Sequence, residues 1–280
     1  MKLSVVIAGD QAPSSAFVVW RGFEKFIQKA KDYGYQGVEL ALKQAIEVKP
    51  RLLAKWLSTF NMEVSCISTG QVFASLGLYF SHPDATIRNK AIKIFKDLIQ
   101  LAKNFGCMIN VGRVRGFIGE NQSKEEVEQL FINTIQKICD YAEKNGVTIV
   151  VEPINRYESN FINSLQDGAN IIRKVKRNKL GLMPDTFHMN IEEPIIEESI
   201  LQHGNLIKYF HISDSNRMAP GKGHLNFDTI INSLYQLNYN GWMAVEILPL
   251  PDPDTAALQA AKYMLPKIKE YNHRFKIKNL

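Results

Sequence analysis

The sequence has few of the features that assign a chain to the membrane, secreted or nucleic-acid-binding classes. No apolar stretch approaches the 18 or so residues that a membrane-spanning helix needs. Only three of the 280 residues are cysteine, and their wide separation favours buried thiols over a disulfide framework. The formal net charge is a mild +6 and the basic residues are dispersed, so we expect neither a nucleic-acid nor a membrane partner. The apolar start, residues 1–7, is too short for a signal peptide, and we predict a cytoplasmic protein.

The chain also lacks a linker, a low-complexity segment and the Gly-x-Gly-x-x-Gly fingerprint of dinucleotide-binding folds. Short apolar runs instead alternate with amphipathic stretches, which indicates βα units and a parallel sheet. Eight such units predict an α/β fold, a (β/α)8 TIM barrel, as a single domain over residues 1–280, with an open doubly wound sheet as the alternative. We expect strands at 3–8, 38–42, 64–69, 108–114, 148–151, 180–184, 207–210 and 243–245. We expect helices at 22–33, 50–60, 84–105, 123–145, 165–175, 195–202, 227–237 and from 254 towards 271.

Four of the expected strands end in a side chain that can bind a metal ion. One apolar run stops at Glu152 and is followed by Pro153, which cannot donate a hydrogen bond to a neighbouring strand. Three later runs end in Asp185, His211 and Glu246, at intervals of 26 to 35 residues, or about one βα unit. Because the carboxyl ends of barrel strands open into one pocket, we expect these four side chains to converge.

Converging carboxylates need a counter-charge. Three of them about 4–5 Å apart repel by roughly a few kcal/mol per pair, which a divalent cation removes. A set of three carboxylates and one imidazole, without thiolate, suits Mn²⁺, Co²⁺ or Mg²⁺ better than structural zinc. Arg217 is the candidate to offset the negative charge that remains.

The two glutamates of this set suggest proton transfer at carbon. Glu152 and Glu246 would lie on strands three apart around the barrel, where they can face opposite sides of a bound substrate. A metal that holds a carbonyl and a neighbouring hydroxyl stabilises an enediolate, while one carboxylate removes the proton and the other returns it. Transfer between two faces inverts the carbon next to the carbonyl.

Together these motifs give a specific resemblance. The chain resembles the D-tagatose/D-psicose (ketose) 3-epimerases of the xylose isomerase-like barrel superfamily, over its whole length and most strongly at residues 148–249. The matching motifs are residues 152–158, 185–193, 211–217 and 220–224, together with Glu246.

The resemblance implies a ketose epimerase with one divalent metal ion, first of all Mn²⁺, acting on a small sugar as a homo-oligomer, a dimer or tetramer. The implied metal ligands are Glu152, Asp185, His211 and Glu246. Two of these, Glu152 and Glu246, are implied to be the catalytic acid/base pair. The implied substrate-binding residues are Glu158, His188 and Arg217.

Several alternatives stay open from the sequence. Arg113 and Arg115 leave the fourth strand; they are either surface residues or a grip for an anionic substrate, which would make the substrate a keto-sugar acid. An aldose–ketose isomerase would use the same barrel. A phosphodiesterase for abasic DNA and a non-catalytic binding barrel are less consistent with a metal set that contains one histidine and an acid/base pair. Residues 70–80 either cover the ligand as a lid or pack over the barrel.

Overall fold

The computed structural model describes residues 1–13 and 17–278. The strands of this part of the chain are β1 (Lys2–Ala8), β2 (Trp20–Arg21), β3 (Gly37–Ala41), β4 (Glu63–Ser68), β5 (Met108–Val111), β6 (Ile149–Val151), β7 (Leu180–Leu182), β8 (Phe210–Ile212) and β9 (Trp242–Val245). The helices are α1 (Glu24–Asp32), α2 (Pro50–Phe60), α3 (Gly70–Leu76), α4 (Ala85–Phe105), α5 (Lys124–Lys144), α6 (Leu165–Val175), α7 (Thr186–Glu192), α8 (Ile196–His203), α9 (Phe227–Gln236) and α10 (Pro253–Lys278).

The sheet has the topology of a closed parallel barrel. Its order is β7-β6-β5-β4-β3-β1-β9-β8, every pairing is parallel, and the short β2 joins the side of β1. The two ends of this path meet through isolated parallel bridges, Leu182 with Ile207 and Asp185 with His211. The predicted α/β TIM barrel is therefore confirmed, in preference to the open sheet.

The helices begin and end where the sequence carries capping signals. Ser123 forms a capping box with Glu126 at the start of α5, and Asp84 accepts a hydrogen bond from the backbone of Thr86 at the start of α4. Gly106 takes the left-handed conformation that ends α4. Helices α2 and α6 have the predicted bounds. The last helix starts at Pro253 and continues to Lys278, beyond the predicted end.

Two apolar layers hold the barrel. The larger one fills the space between the sheet and the surrounding helices. The smaller one fills the barrel interior with residues from alternate positions of the strands, among them Val6, Ala41, Cys66, Val150 and Tyr209. All three cysteines are buried and free, as predicted. In the described part of the chain, no helix combines the length and the apolar character that crossing a membrane requires.

Three local predictions need correction. His211 lies inside β8 and does not follow it, because the strand runs from Phe210 to Ile212. A short helix, α7, begins directly after Asp185, whose side chain caps it, where no separate helix was predicted. Residues 70–76 form helix α3, whose Gln71 and Val72 are buried, so this part of the predicted connection is a wall of the barrel mouth.

Candidate active site

The four side chains predicted to bind a metal lie together at the carboxyl ends of the barrel strands. Glu152 follows β6, Asp185 follows β7, His211 lies in β8 and Glu246 follows β9. Each offers one ligand atom, and these atoms all lie within 4.8 Å of one another. Parallel strands that end at a common edge bring residues nearly a hundred positions apart to one point.

The distances from His211 to the other three residues fit a divalent cation. Nδ1 of His211 lies 3.4 Å from Oε1 of Glu152, 3.7 Å from Oδ2 of Asp185 and 3.8 Å from Oε2 of Glu246. Donor atoms that share one ion at about 2.1 Å can be at most about 4.2 Å apart, so these three distances fit a shared ion. Oδ2 of Asp185 and Nδ1 of His211 are buried and have no hydrogen-bond partner in the described part of the chain. A cation would satisfy both atoms.

The two glutamates have opposite pKa shifts. Burial raises the pKa of Glu246 to about 8, in spite of the opposing charges of His211 and Arg217. Burial pushes the pKa of Glu152 in the same direction, but the nearby imidazole of His211, 3.4 Å away, outweighs it and lowers that pKa to about 2. Two carboxyl groups in one site with widely separated pKa values are an arrangement suited to acid/base work.

His211 is surrounded by four carboxyl groups. Burial alone would lower its pKa, but the neighbouring charges of Glu39 and Glu246 hold the pKa of His211 well above its usual range. A metal ion that binds here therefore displaces a proton from the imidazole.

Arg217 lies beside the four residues and connects two acids. Its Nη1 atom is 2.7 Å from Oε1 of Glu158, and its Nη2 atom is 3.0 Å from Oε2 of Glu246. The guanidinium contacts two aromatic rings, at 3.6 Å from the centroid of Phe17 and 4.9 Å from that of Phe187. The backbone of Arg217 has a φ of 61°, in the left-handed region that a non-glycine residue seldom adopts. Its loop is therefore held in a less common conformation that directs the guanidinium at the two acids.

His188 and Glu158 share one polar network with Asn155. Nδ2 of Asn155 lies 3.1 Å from Oε1 of Glu158 and 2.7 Å from Nδ1 of His188. Nε2 of His188 lies 3.9 Å from Oε1 of Glu152. Burial lowers the pKa of His188, which favours the neutral imidazole. Both predicted residues therefore line the same cavity as the candidate metal ligands Glu152 and Glu246, and Asn155 holds both of them.

The two arginines that leave β5 have different positions. Arg115 is fully buried, and its Nη1 atom donates to the backbone oxygens of Glu152 and Ile162. It therefore holds the backbone next to Glu152 and is not accessible to a substrate. Arg113 is exposed, lies at the cavity wall and stacks over the ring of Phe73 at 5.1 Å. The sequence left open whether these arginines are surface residues or grip a substrate, and Arg115 does neither, because it is buried against the backbone.

A single cavity connects these residues. One side of it carries the charged groups Glu152, Glu158, His188, Arg217 and Glu246. The lining from β3, β4 and α3 consists mainly of small groups with two amide or hydroxyl side chains, and Arg113 lies beside α3. The residues of β3, β4 and α3 in this lining are Ala41, Ser68, Gly70, Gln71 and Ala74. A cavity that combines charged groups with small, apolar and amide groups can orient a small polar ligand.

Sequence reasoning missed several residues that hold the site together. Nδ2 of Asn110 donates to Oε2 of Glu152 at 2.8 Å, and Glu39 contacts His211 from inside the barrel. A detectable signal existed for Glu39, because a carboxylate within the apolar run of β3 is unusual. No comparable signal marked Phe17 and Phe187, since aromatic residues at helix starts and loops are common.

Comparison with known proteins gives one family. The family model described as xylose isomerase-like TIM barrel matches residues 27–267. The ketose 3-epimerase of Arthrobacter globiformis is 33% identical over 231 residues, covering 80% of this chain and 77% of that protein. The L-ribulose 3-epimerase of Methylomonas sp. (strain DH-1) is 28% identical over 231 residues, covering 80% and 78%.

Solved structures agree on the fold. The crystal structure of D-psicose 3-epimerase with D-tagatose from Clostridium cellulolyticum H10 matches with a TM-score of 0.79 and 22% identity. The match covers 94% of this chain and 98% of that chain. At 22% identity the structural similarity shows only that both proteins have the barrel fold. Membership of the family is shown by the family model and by the more similar sequences. The chain belongs to the xylose isomerase-like TIM barrel family.

Proposed function

We propose that this protein is a metal-dependent ketose 3-epimerase. It inverts the carbon next to the carbonyl of a ketose by proton transfer between two faces, through an enediolate. The observation that carries this proposal is the convergence of Glu152 and Glu246 with Asp185 and His211 on one candidate metal site, where one ligand atom of each residue lies within 4.8 Å of the others. Relatives named ketose 3-epimerase and L-ribulose 3-epimerase support the same reaction class.

In this proposal the two glutamates have reciprocal roles. One removes the proton from C3 of the substrate, and the other donates a proton to C3 from the opposite face. In the reverse direction they exchange roles, so each must be able to exist in both protonation states. General acid–base groups of this kind contribute about 10²–10⁴-fold to a rate.

A divalent cation would be held by Glu152, Asp185, His211 and Glu246. We propose Mn²⁺ as that ion, with Co²⁺ and Mg²⁺ as substitutes, because carboxylate and imidazole donors without thiolate suit all three. When bound, the ion stabilises negative charge on the substrate oxygens at the carbonyl and the neighbouring hydroxyl.

Three further residues orient the substrate in this proposal. Arg217 and Glu158, joined at 2.7 Å, present a donor and an acceptor to neighbouring hydroxyl groups. Neutral His188, which the amide of Asn155 holds through Nδ1, presents Nε2 on the side of Glu152. Groups fixed in this way position the reacting carbon between the two carboxyls at little cost in entropy.

The test is a substrate panel with one added metal. Purified protein is incubated with Mn²⁺ and with neutral ketoses, ketose phosphates and hexulosonates, and products are separated by chromatography. We expect a neutral ketose to yield a second ketose that differs at C3. An aldose product would indicate isomerisation, and turnover only of hexulosonates would indicate a keto-sugar acid epimerase. In a parallel assay, cleavage of abasic DNA would indicate a phosphodiesterase. Each of these results would refute the proposal.

We further propose that residues 1–280 act as one domain in the cytoplasm and that the chain forms a homo-oligomer, a dimer or tetramer. The expected partner is a small sugar, without nucleic acid or membrane. Light scattering behind size-exclusion chromatography measures the mass directly. A mass equal to the 31.8 kDa of one chain would contradict the oligomer.

A further inference from the structure

The apolar interior of the barrel contains a carboxylate directly behind the candidate metal ligands. Glu39 lies in β3 with no exposed surface, and its side chain is among the inward residues of the barrel. The register between β3 and β4 shifts between Val38 and Glu39. Such irregularities often redirect a side chain next to an active site.

Glu39 contacts one residue of the metal-binding group. Nε2 of His211 lies 3.0 Å from Oε1 and 3.0 Å from Oε2 of Glu39, so the ring donates between the two carboxylate oxygens. The other ring nitrogen, Nδ1, faces Glu152, Asp185 and Glu246 and has no hydrogen-bond partner in the described part of the chain. With Nε2 carrying the proton, Nδ1 keeps its lone pair for a cation.

A carboxylate in this place is costly unless it has a function. Burying an ion away from water costs several kcal/mol, and the attraction of a partner often does not recover that cost. Around Glu39 the interior is formed by groups such as Val6, Cys66 and Met183. In the residues that the structure describes, His211 is the side chain that hydrogen-bonds Glu39. Packing alone would be served better by an apolar residue.

We propose that Glu39 is a positioning residue that fixes the ring orientation and the tautomer of His211 for metal binding. A carboxylate behind a ligating histidine holds the ring and increases its basicity, and removal of such a partner typically weakens metal affinity about 10–100-fold. The inference rests on the proposed metal site. It assigns to Glu39 a role in metal affinity and none in contact with the substrate.

The test compares Glu39→Gln with Glu63→Gln. Glutamine keeps the size of Glu39 and an oxygen that can accept from Nε2, but removes the charge. Glu63 lies at the opposite end of the barrel, where it pairs with Lys2 on the surface, so its variant controls for the loss of one negative charge. The readout is the Kd for Mn²⁺, measured by electron paramagnetic resonance of the free ion, with circular dichroism as the check on folding.

We expect the Kd for Mn²⁺ to rise about 10–100-fold in Glu39→Gln and to stay within about twofold in Glu63→Gln. At saturating Mn²⁺ the KM for the ketose should be unchanged in Glu39→Gln, since Glu39 does not touch substrate. A folded Glu39→Gln variant with wild-type Kd would overturn the proposal. A wild-type protein that binds no Mn²⁺ would instead refute the metal site itself.

A second measurement covers the case in which Glu39→Gln does not fold. Nitrogen-15 NMR of the imidazoles in wild-type protein loaded with diamagnetic Mg²⁺ reports which ring nitrogen carries the proton. We expect His211 with its proton on Nε2. A proton on Nδ1 would contradict the positioning role.

Discussion

Nη2 of Arg217 lies 3.0 Å from Oε2 of Glu246, and the same guanidinium reaches Glu158 through Nη1. The contact places the positive charge of Arg217 beside Glu246, whose pKa burial raises, and this charge opposes the rise in pKa. The arginine thus favours the ionised form of Glu246, which both metal binding and proton removal require.

Arg217→Lys should therefore reduce kcat/KM about 10–100-fold, because a lysine cannot bridge both acids, and a charge-assisted hydrogen bond is worth about 1.5–3 kcal/mol. Steady-state kinetics at saturating Mn²⁺ measure this effect. Arg177→Lys is the matched control, since Arg177 also binds an acid through two nitrogens, Asp140, but on the surface away from the cavity. Equal activity of the two variants would argue against the role of Arg217.

Glu246→Gln and Glu152→Gln should each lower kcat by about 10²–10⁴-fold, the usual contribution of a general acid or base. Each is also a proposed metal ligand, so bound Mn²⁺ must be measured in both variants. A deficit in kcat that persists at full metal occupancy identifies the proton-transfer role. Wild-type turnover in either variant would rule out that residue as acid or base.

Gly112→Ala should displace the carboxylate of Glu152 and leave the other three candidate metal ligands in place. A Cβ at Gly112 would lie 2.9 Å from Oε2 of Glu152 and 3.2 Å from Oδ1 of Asn110, which holds that carboxylate. We expect kcat to fall about tenfold or more, because small misplacement of a reacting group is costly. Gly9→Ala, whose Cβ would make only ordinary contacts at 3.7 Å, should retain wild-type kcat. Equal kcat values for both variants would show that Glu152 adjusts freely.

The raised pKa of Glu246 predicts a pH dependence. Because folding raises this pKa from its ordinary value of 4.5 to about 8, the folded state binds a proton more tightly than the unfolded state. The resulting stability is present below about pH 4.5 and is lost as the pH rises to about 8. In EDTA-treated protein the Tm should therefore fall between pH 5 and pH 8, with a smaller fall in Glu246→Gln.

Metal binding should show the opposite trend. An ion must displace the proton from Glu246. Below pH 8, the Kd for the ion should therefore fall about tenfold for each unit by which the pH rises, per proton released. The increase in Tm on adding Mn²⁺ should accordingly be larger at pH 8 than at pH 6. An affinity for Mn²⁺ that does not vary with pH would show that Glu246 is not protonated before the ion binds.

The barrel and the four metal-binding candidates could be predicted because each leaves a local mark in the sequence. Glu152 interrupts an apolar strand and precedes a proline, and Asp185 and Glu246 likewise follow apolar runs. Such marks depend on the position of a residue relative to its own strand. For that reason they need no knowledge of the other strands.

Residues whose role depends on a distant neighbour could not be predicted. Glu39 acts on a histidine 172 positions away, and Arg115 reaches back to the backbone of Glu152. The contacts of Arg217 with Phe17 and Phe187 join three separate segments. These contacts depend on closure of the sheet, which brings the segments together only in three dimensions.

The most direct measurement is solvent isotope incorporation. The protein, Mn²⁺ and a ketose that it epimerises are incubated in D₂O, and C3 of the product is examined by NMR. If Glu152 and Glu246 act from two faces, the proton that is returned comes from a carboxyl that exchanges with solvent, and the epimerised C3 should carry deuterium. An epimerised product with ordinary hydrogen at C3 would contradict the proton-transfer mechanism.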